Sequence, residues 1–347
     1  MKVVIVGGGF CGALVAKHLQ RDEKFSVTLI DKKPYFEYIP SAIFCMTHPE
    51  YVKHLNVSYH RFLSQTTIIT DEIKNITDTT VTTKNQIVPF DYAVICTGSQ
   101  YPIFLKSTTN VYTVHNCTEA VRVSKKIADA SRVLIVGGGY IGVEACGQLA
   151  TQHNHLSITL VDVESNLLQR SPLKASRYAS KFLVKKGVRI IPNEKVVDHP
   201  TPTQYLLSNG ECINADICLW CAGIHTDTSF LESLGPSSVD SVGRIQVNTY
   251  LQMKYHPHIF AGGDICGVAE EKTAFHAEAH AKTIASNIVS LSANQPLKAY
   301  QKKFSIQLIS LGEYSGIVHT KNKAMYFGLF GVGKKLIEYY TIGRLRL

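Results

Sequence analysis

The feature that most constrains this chain is a glycine pattern that occurs twice. Gly7-x-Gly9-x-x-Gly12 follows the apolar run Lys2–Val6, and Gly137-x-Gly139-x-x-Gly142 follows Arg132–Val136. In each, the first Gly permits a tight turn and the second lets backbone approach a pyrophosphate. The third lets the helix that begins there pack close to the strand. That helix presents unpaired N–H groups and the positive end of its dipole to phosphate. About twenty residues past each third Gly, at the end of the next apolar run, stands an acid: Asp31 and Asp162. A carboxylate there accepts hydrogen bonds from ribose hydroxyls. One such triplet is weak, because a tight strand–helix turn also uses glycine. Two, each in full context, point to two dinucleotide sites.

The repetition runs further. Residues 92–96 form an apolar run ending in Thr97–Gly98, and residues 217–221 form another ending in Ala222–Gly223. Residues 1–98 and 132–223 are therefore copies of one strand–turn–helix–strand architecture. The fold class expected is α/β, with two Rossmann-like doubly wound domains. A third apolar run, 258–261, ends in Gly262–Gly263–Asp264 and precedes an Ala-rich helix over 274–291. The boundaries that follow are 1–110 for the first part of the first dinucleotide-binding domain, 111–228 for the inserted second one, 229–297 for the rest of the first, and 298–347 for a C-terminal region.

With 347 residues, 45% hydrophobic, the chain has material for more than one core. Its nine cysteines lack a secreted framework and no signal peptide opens it, which predicts reduced thiols and a cytoplasmic setting. The formal charge is +9, and residues 298–347 hold nine Lys/Arg against Glu313 and Glu338. A basic end predicts an anionic partner: a membrane surface first, and nucleic acid only as a weaker alternative because no base-stacking or reading motif is present. The apolar strip 324–332, followed by Lys334–Lys335, is too short to cross a bilayer, which takes about 20 residues in a helix. It is expected to lie in the interface, which would place the protein on the cytoplasmic face of a membrane, or else to fold back as core.

The fingerprints, with Thr97–Gly98, Gly223 and Gly263–Asp264 at these spacings, resemble the two-dinucleotide-binding-domain flavoproteins of glutathione-reductase-like fold. The resemblance implies FAD at Gly7, Gly9, Gly12 and Asp31, touched also by Thr97, Gly98, Gly263 and Asp264. It implies a nicotinamide dinucleotide at Gly137, Gly139, Gly142, Asp162 and Gly223. Asp162, with no Lys or Arg in residues 161–165, favours NADH over NADPH, since a carboxylate repels a 2′-phosphate. After Asp31 the chain has only Cys45, with no partner in a C-x4-C or C-x2-C, so a dithiol reductase is not expected. Cys218-x-x-Cys221 lies inside an apolar run and reads as structural.

Val143–Glu144, the loop 34–40 and the segment 272–280 are similar to the branch holding type II NADH:quinone oxidoreductases and the apoptosis-inducing-factor-like ferroptosis suppressors. That resemblance implies a quinone or other small electron acceptor. It places Glu144 at the junction of nicotinamide and flavin, and Glu278 and His280 beside the flavin. These three are the candidate proton carriers, His280 being equally readable as a core histidine. No metal site is expected, because His276 and His280 lack further ligands. Two alternatives stand beside this reading: an AIF-like binding or signalling flavoprotein, and a sulfide:quinone oxidoreductase. A homodimer is the expected assembly where one forms.

Overall fold

The computed structural model describes residues 1–302, 306–321, 323–327 and 330–346. The first fingerprint opens a six-stranded sheet. Its order is Gln252–Met253, His256–Ala261, Tyr92–Ile95, Lys2–Val6, Ser26–Asp31, Thr66–Thr70. All neighbours run parallel except the first pair. Val3, Val4, Ile5 and Val6 are each at most 1% exposed, because a parallel central strand is covered on both faces and its sequence is apolar without alternation. The helix Phe10–Leu19 covers one face and packs on Ala274–Ser292, which Thr273 caps by accepting the His276 N–H. Gly262 lets them meet: a Cβ on it would come 2.4 Å from Cys11 Sγ and 2.9 Å from Ile284 Cδ1.

The second fingerprint opens a five-stranded, all-parallel sheet. Its order is Val111–Tyr112, Ile217–Trp220, Arg132–Val136, Ser157–Val161, Arg189–Ile191. The helices Tyr140–Gln152 and Leu173–Lys185 flank it. Each copy also carries a three-stranded antiparallel sheet before its closing strand. One is Ile73–Ile76, Thr80–Thr83 and Ile87–Pro89, and the other is Val196–Thr201, Gln204–Leu207 and Cys212–Asn214. The connections between the sheets run side by side, with Gln100 and His225 exchanging N–H···O bonds of 2.7 and 2.9 Å.

The C-terminal region differs from the expectation for 324–332. Ala324–Phe327 is a strand paired antiparallel to Ser315–His319, which pairs in turn with Gln307–Leu311. The helix Phe330–Arg346 follows. The apolar strip is thus divided between two elements and is not one interfacial segment; residues 328 and 329 lie outside the described residues. The helix buries Glu338, Thr341, Ile342 and Leu345 against the body. It exposes Val332, Leu336, Ile337, Tyr339 and Tyr340. Among the described residues no helix is long and apolar enough to cross a membrane.

Candidate functional site: two dinucleotide cradles joined by the C-terminal helix

The two fingerprints fold into superimposable turns. Gly7 and Gly137 take φ of +93° and +105°, a region that favours glycine, and a Cβ at Gly7 would sit 2.4 Å from Cys96 O. At Gly12 and Gly142 a Cβ would strike the first glycine's carbonyl oxygen at 1.9 and 1.8 Å. Gly9 and Gly139 are different. Their φ values are −72° for both, and a Cβ on either would meet nothing within 4 Å. The fold therefore demands the outer glycines and leaves the middle one free. The open space above it, at the start of a helix with unpaired N–H groups, fits a pyrophosphate. Both cradles pass this test, so the residues present suit FAD and a nicotinamide dinucleotide.

The two acids close the same bond in each copy. Asp31 Oδ2 accepts the Gly8 N–H at 2.6 Å and Asp162 Oδ2 accepts the Gly138 N–H at 2.9 Å. Burial pushes the Asp162 carboxyl up, against the opposing pull of N–H bonds from Glu164, Gly138 and Val163. Asp162 lines a cavity of about 390 Å³ with Gly137, Val161, Val163, Glu194, Lys195 and Trp220 among its walls. That is large enough to hold part of a dinucleotide. Gly223 has φ +75° and Phe104 beside it, so it shapes the rim. Lys195 is a cation on this cavity that a reading confined to residues 161–165 missed.

Beside the first cradle, Gly98 and Gly263 take φ of +75° and +76°. Thr97 is exposed at the same turn, and Ser99 Oγ donates to Asp264 Oδ2 at 2.7 Å. Tyr59, fully buried beneath the first fingerprint, donates to Gly8 O at 3.0 Å. His280 is 1% exposed. Its Nδ1 accepts the Gly263 N–H at 3.1 Å, and its Nε2 lies 2.8 Å from Glu270 Oε1, whose carboxylate also accepts from Tyr300 OH at 2.9 and 3.0 Å. His280 thus stands behind the Gly263–Asp264 turn and holds it in place. Glu278, two positions away on the same helix, faces elsewhere and accepts from Arg344 at 3.0 Å.

Glu144 is buried on the second fingerprint helix. It accepts from Ser310 N–H at 2.8 Å, Ser310 Oγ at 3.0 Å and Lys334 Nζ at 2.6 Å. Glu144 and Glu278 therefore meet the same C-terminal helix, whereas His280 serves the flavin-side turn. Spacing could not reveal this, because Lys334 and Arg344 are far away in sequence.

All nine cysteines are free, and only Cys212 is exposed. Cys45 is not isolated: its thiol hydrogen-bonds that of Cys117, which raises the Cys117 thiol well above its ordinary range. Cys218 is raised by burial, and burial pushes Cys221 up to about 12. A thiol so raised is almost wholly protonated near neutral pH and is a poor nucleophile.

A family model described as pyridine nucleotide-disulphide oxidoreductase matches residues 1–283. Ferroptosis suppressor protein 1 of Xenopus tropicalis is 29% identical over 349 residues, covering 96% of this chain and 91% of its own. The structure of NDH2 from Plasmodium falciparum in complex with NADH superposes with a TM-score of 0.88 at 16% identity, covering 98% of this chain and 94% of its own. The sulfide:quinone oxidoreductase of Aquifex aeolicus gives 0.87 at 19%, covering 99% and 91%. The two solved structures share the fold over nearly the whole chain, C-terminal region included.

Proposed function

The chain belongs to the pyridine nucleotide-disulphide oxidoreductase family, and from that premise we propose an NADH:quinone oxidoreductase that works through bound FAD. The observation that carries the reading is the pair of open cradles at Gly9 and Gly139, where the chain keeps glycine without needing it for its own packing. FAD, when bound, supplies the two-electron exchange between a nicotinamide and a quinone. The chain's own residues do the positioning. The first fingerprint and the Gly263–Asp264 turn hold the flavin nucleotide, the turn being fixed by His280 and Ser99. The second fingerprint and the Asp162 cavity hold the nicotinamide nucleotide. We take residues 1–110 and 229–297 as the flavin unit and 111–228 as the nicotinamide unit. Glu144, Glu278 and His280 stay candidates for proton handling, Glu144 being the best placed because it sits at the start of the nicotinamide cradle's helix.

NADH is preferred over NADPH on Asp162, with Lys195 as the residue through which a 2′-phosphate would be tolerated. Sulfide as donor is disfavoured, since it calls for reactive thiols, whereas Cys45 and Cys117 are buried and the Cys117 thiol is held well above its ordinary range. The exposed face of the C-terminal helix, with Met325 and Tyr326 of the preceding strand, supports docking on an anionic membrane surface that brings a hydrophobic quinone within reach. Quinone-dependent NADH oxidation by the purified yellow protein tests the reading. Oxidation of NADH that no quinone accelerates contradicts it.

A further inference from the structure

Reduction of a quinone by NADH needs a proton that neither reactant supplies. The balance is NADH + quinone + H⁺ → NAD⁺ + quinol: the hydride carries two electrons and one proton, and solvent must deliver the second. This step rests on the proposed function, and the structure contains a route for it.

Glu338 on the C-terminal helix is 1% exposed. Its Oε1 accepts from Tyr51 OH at 2.6 Å and lies 3.3 Å from His54 Nε2. Among the described residues no Lys or Arg nitrogen pairs with it. A buried carboxylate is costly without a partner, and this one is partnered only by groups that can exchange protons. The His54 side chain is 22% exposed and reaches solvent. On the inner side, Tyr51 and Glu338 line a cavity of about 40 Å³ together with Gln148, Ser310 and Lys334. That volume is large enough for a water, which needs roughly 10–15 Å³ and several polar partners. Ser310 and Lys334, on the far wall, bond Glu144 at 3.0 and 2.6 Å. Tyr51 hydrogen-bonds Glu338, His54 Nε2 lies within ion-pair distance of the same carboxylate, and the cavity that Tyr51 and Ser310 share has room for a bridging water.

We propose that His54, Glu338, Tyr51, a water in this cavity and Ser310 form a proton relay from solvent to Glu144. His54 takes a proton from solvent and gives it to Glu338. With Glu338 protonated, the Tyr51 hydroxyl, which otherwise donates to that carboxylate, turns to the water; its oxygen then receives the Glu338 proton as its own passes to the water. Ser310 takes that proton as it hands its own to Glu144, which delivers it to the quinone oxygen. Each carrier ends as it began. Lys334 holds the Glu144 end in place and transfers nothing.

The test compares two acceptors on the same holoenzyme. Ferricyanide takes electrons alone, so its reduction by NADH releases a proton and draws none. In Glu338→Gln and Tyr51→Phe, kcat with a short-chain, water-soluble quinone falls at least tenfold more than kcat with ferricyanide, and the solvent deuterium isotope effect on quinone turnover rises. His54→Ala, at the partly exposed entrance, shows the same selective loss and regains quinone turnover when imidazole is added. Equal proportional losses with both acceptors, or no response of His54→Ala to imidazole, overturn the relay. A wild-type protein that reduces ferricyanide but no quinone overturns the proposed function itself, and the relay with it.

Discussion

At Gly12 an added Cβ would press within 1.9 Å of backbone, and at Gly9 it would press on nothing. Substitutions therefore separate what the fold needs from what a ligand needs. Gly9→Val is expected to keep wild-type far-ultraviolet circular dichroism and lose its flavin, and Gly139→Val to stay yellow while KM for NADH rises at least tenfold, about 1.4 kcal/mol of binding. A Gly139→Val protein with unaltered KM would remove the basis for the second cradle. Asp162 and Lys195 set a contest over the 2′-phosphate on one cavity. The expected kcat/KM is higher with NADH, and Lys195→Ala widens the ratio by weakening NADPH alone; a wild-type preference for NADPH refutes the assignment. The turn glycines and the place of both acids at the ends of the following strands were legible in the sequence because they depend on local spacing. Tyr59, Ser99, Glu270 and Lys334 were not, because each finds its partner through tertiary contact. The family resemblance implies a flavin-side position for His280, whereas its hydrogen bond to Gly263 emerges only when the helix meets the turn.

At the scale of elements, the strand beginning at Ile217 is pinned to its neighbour by Asp216. Its carboxylate accepts from Ser131 N–H, Arg132 N–H and the Arg132 guanidinium, at 2.9, 2.8 and 2.6 Å for the shortest of each. The side-chain bond from Arg132 is the largest cause that holds this carboxyl below its ordinary value. A depressed folded pKa gives stabilisation that is full above the unfolded value, about 3.9, and lost as pH falls through the folded one. Asp216→Ala should lower Tm by about 2–4 °C at pH 7, and the gap from wild type should close on acidification below pH 4. A gap that persists unchanged at pH 3 contradicts the assignment. The C-terminal helix was the element least legible. Its outward face exposes apolar residues and its inward face mixes Ile342 and Leu345 with Lys334, Glu338 and Arg344, so periodicity alone does not tell the two faces apart. Deleting it would break those inner contacts as well, so the membrane reading is better tested by Leu336→Glu with Tyr340→Glu. Sedimentation with anionic liposomes should fall severalfold while flavin content and turnover of a water-soluble quinone hold; equal sedimentation of the two proteins refutes docking through this face.

Over the whole molecule, the sequence repeat translates into two mainly parallel sheets with equivalent turns, equivalent acids and equivalent antiparallel inserts. What the repeat does not contain is the piece that joins them. The C-terminal helix bonds Glu144 on the nicotinamide side, and Tyr51, His54 and Glu278 on the flavin side. It ties the two cradles together, and under the proposed function a donor in the second reduces a flavin in the first and an acceptor reoxidises it. The direct test is an anaerobic titration of the purified protein followed by its visible absorbance. One equivalent of NADH should bleach the yellow band near 450 nm, the usual region for oxidised flavin, and one equivalent of a short-chain quinone should then restore it. A flavin that NADH leaves oxidised, or one that NADH bleaches and quinone does not recolour, would contradict the account.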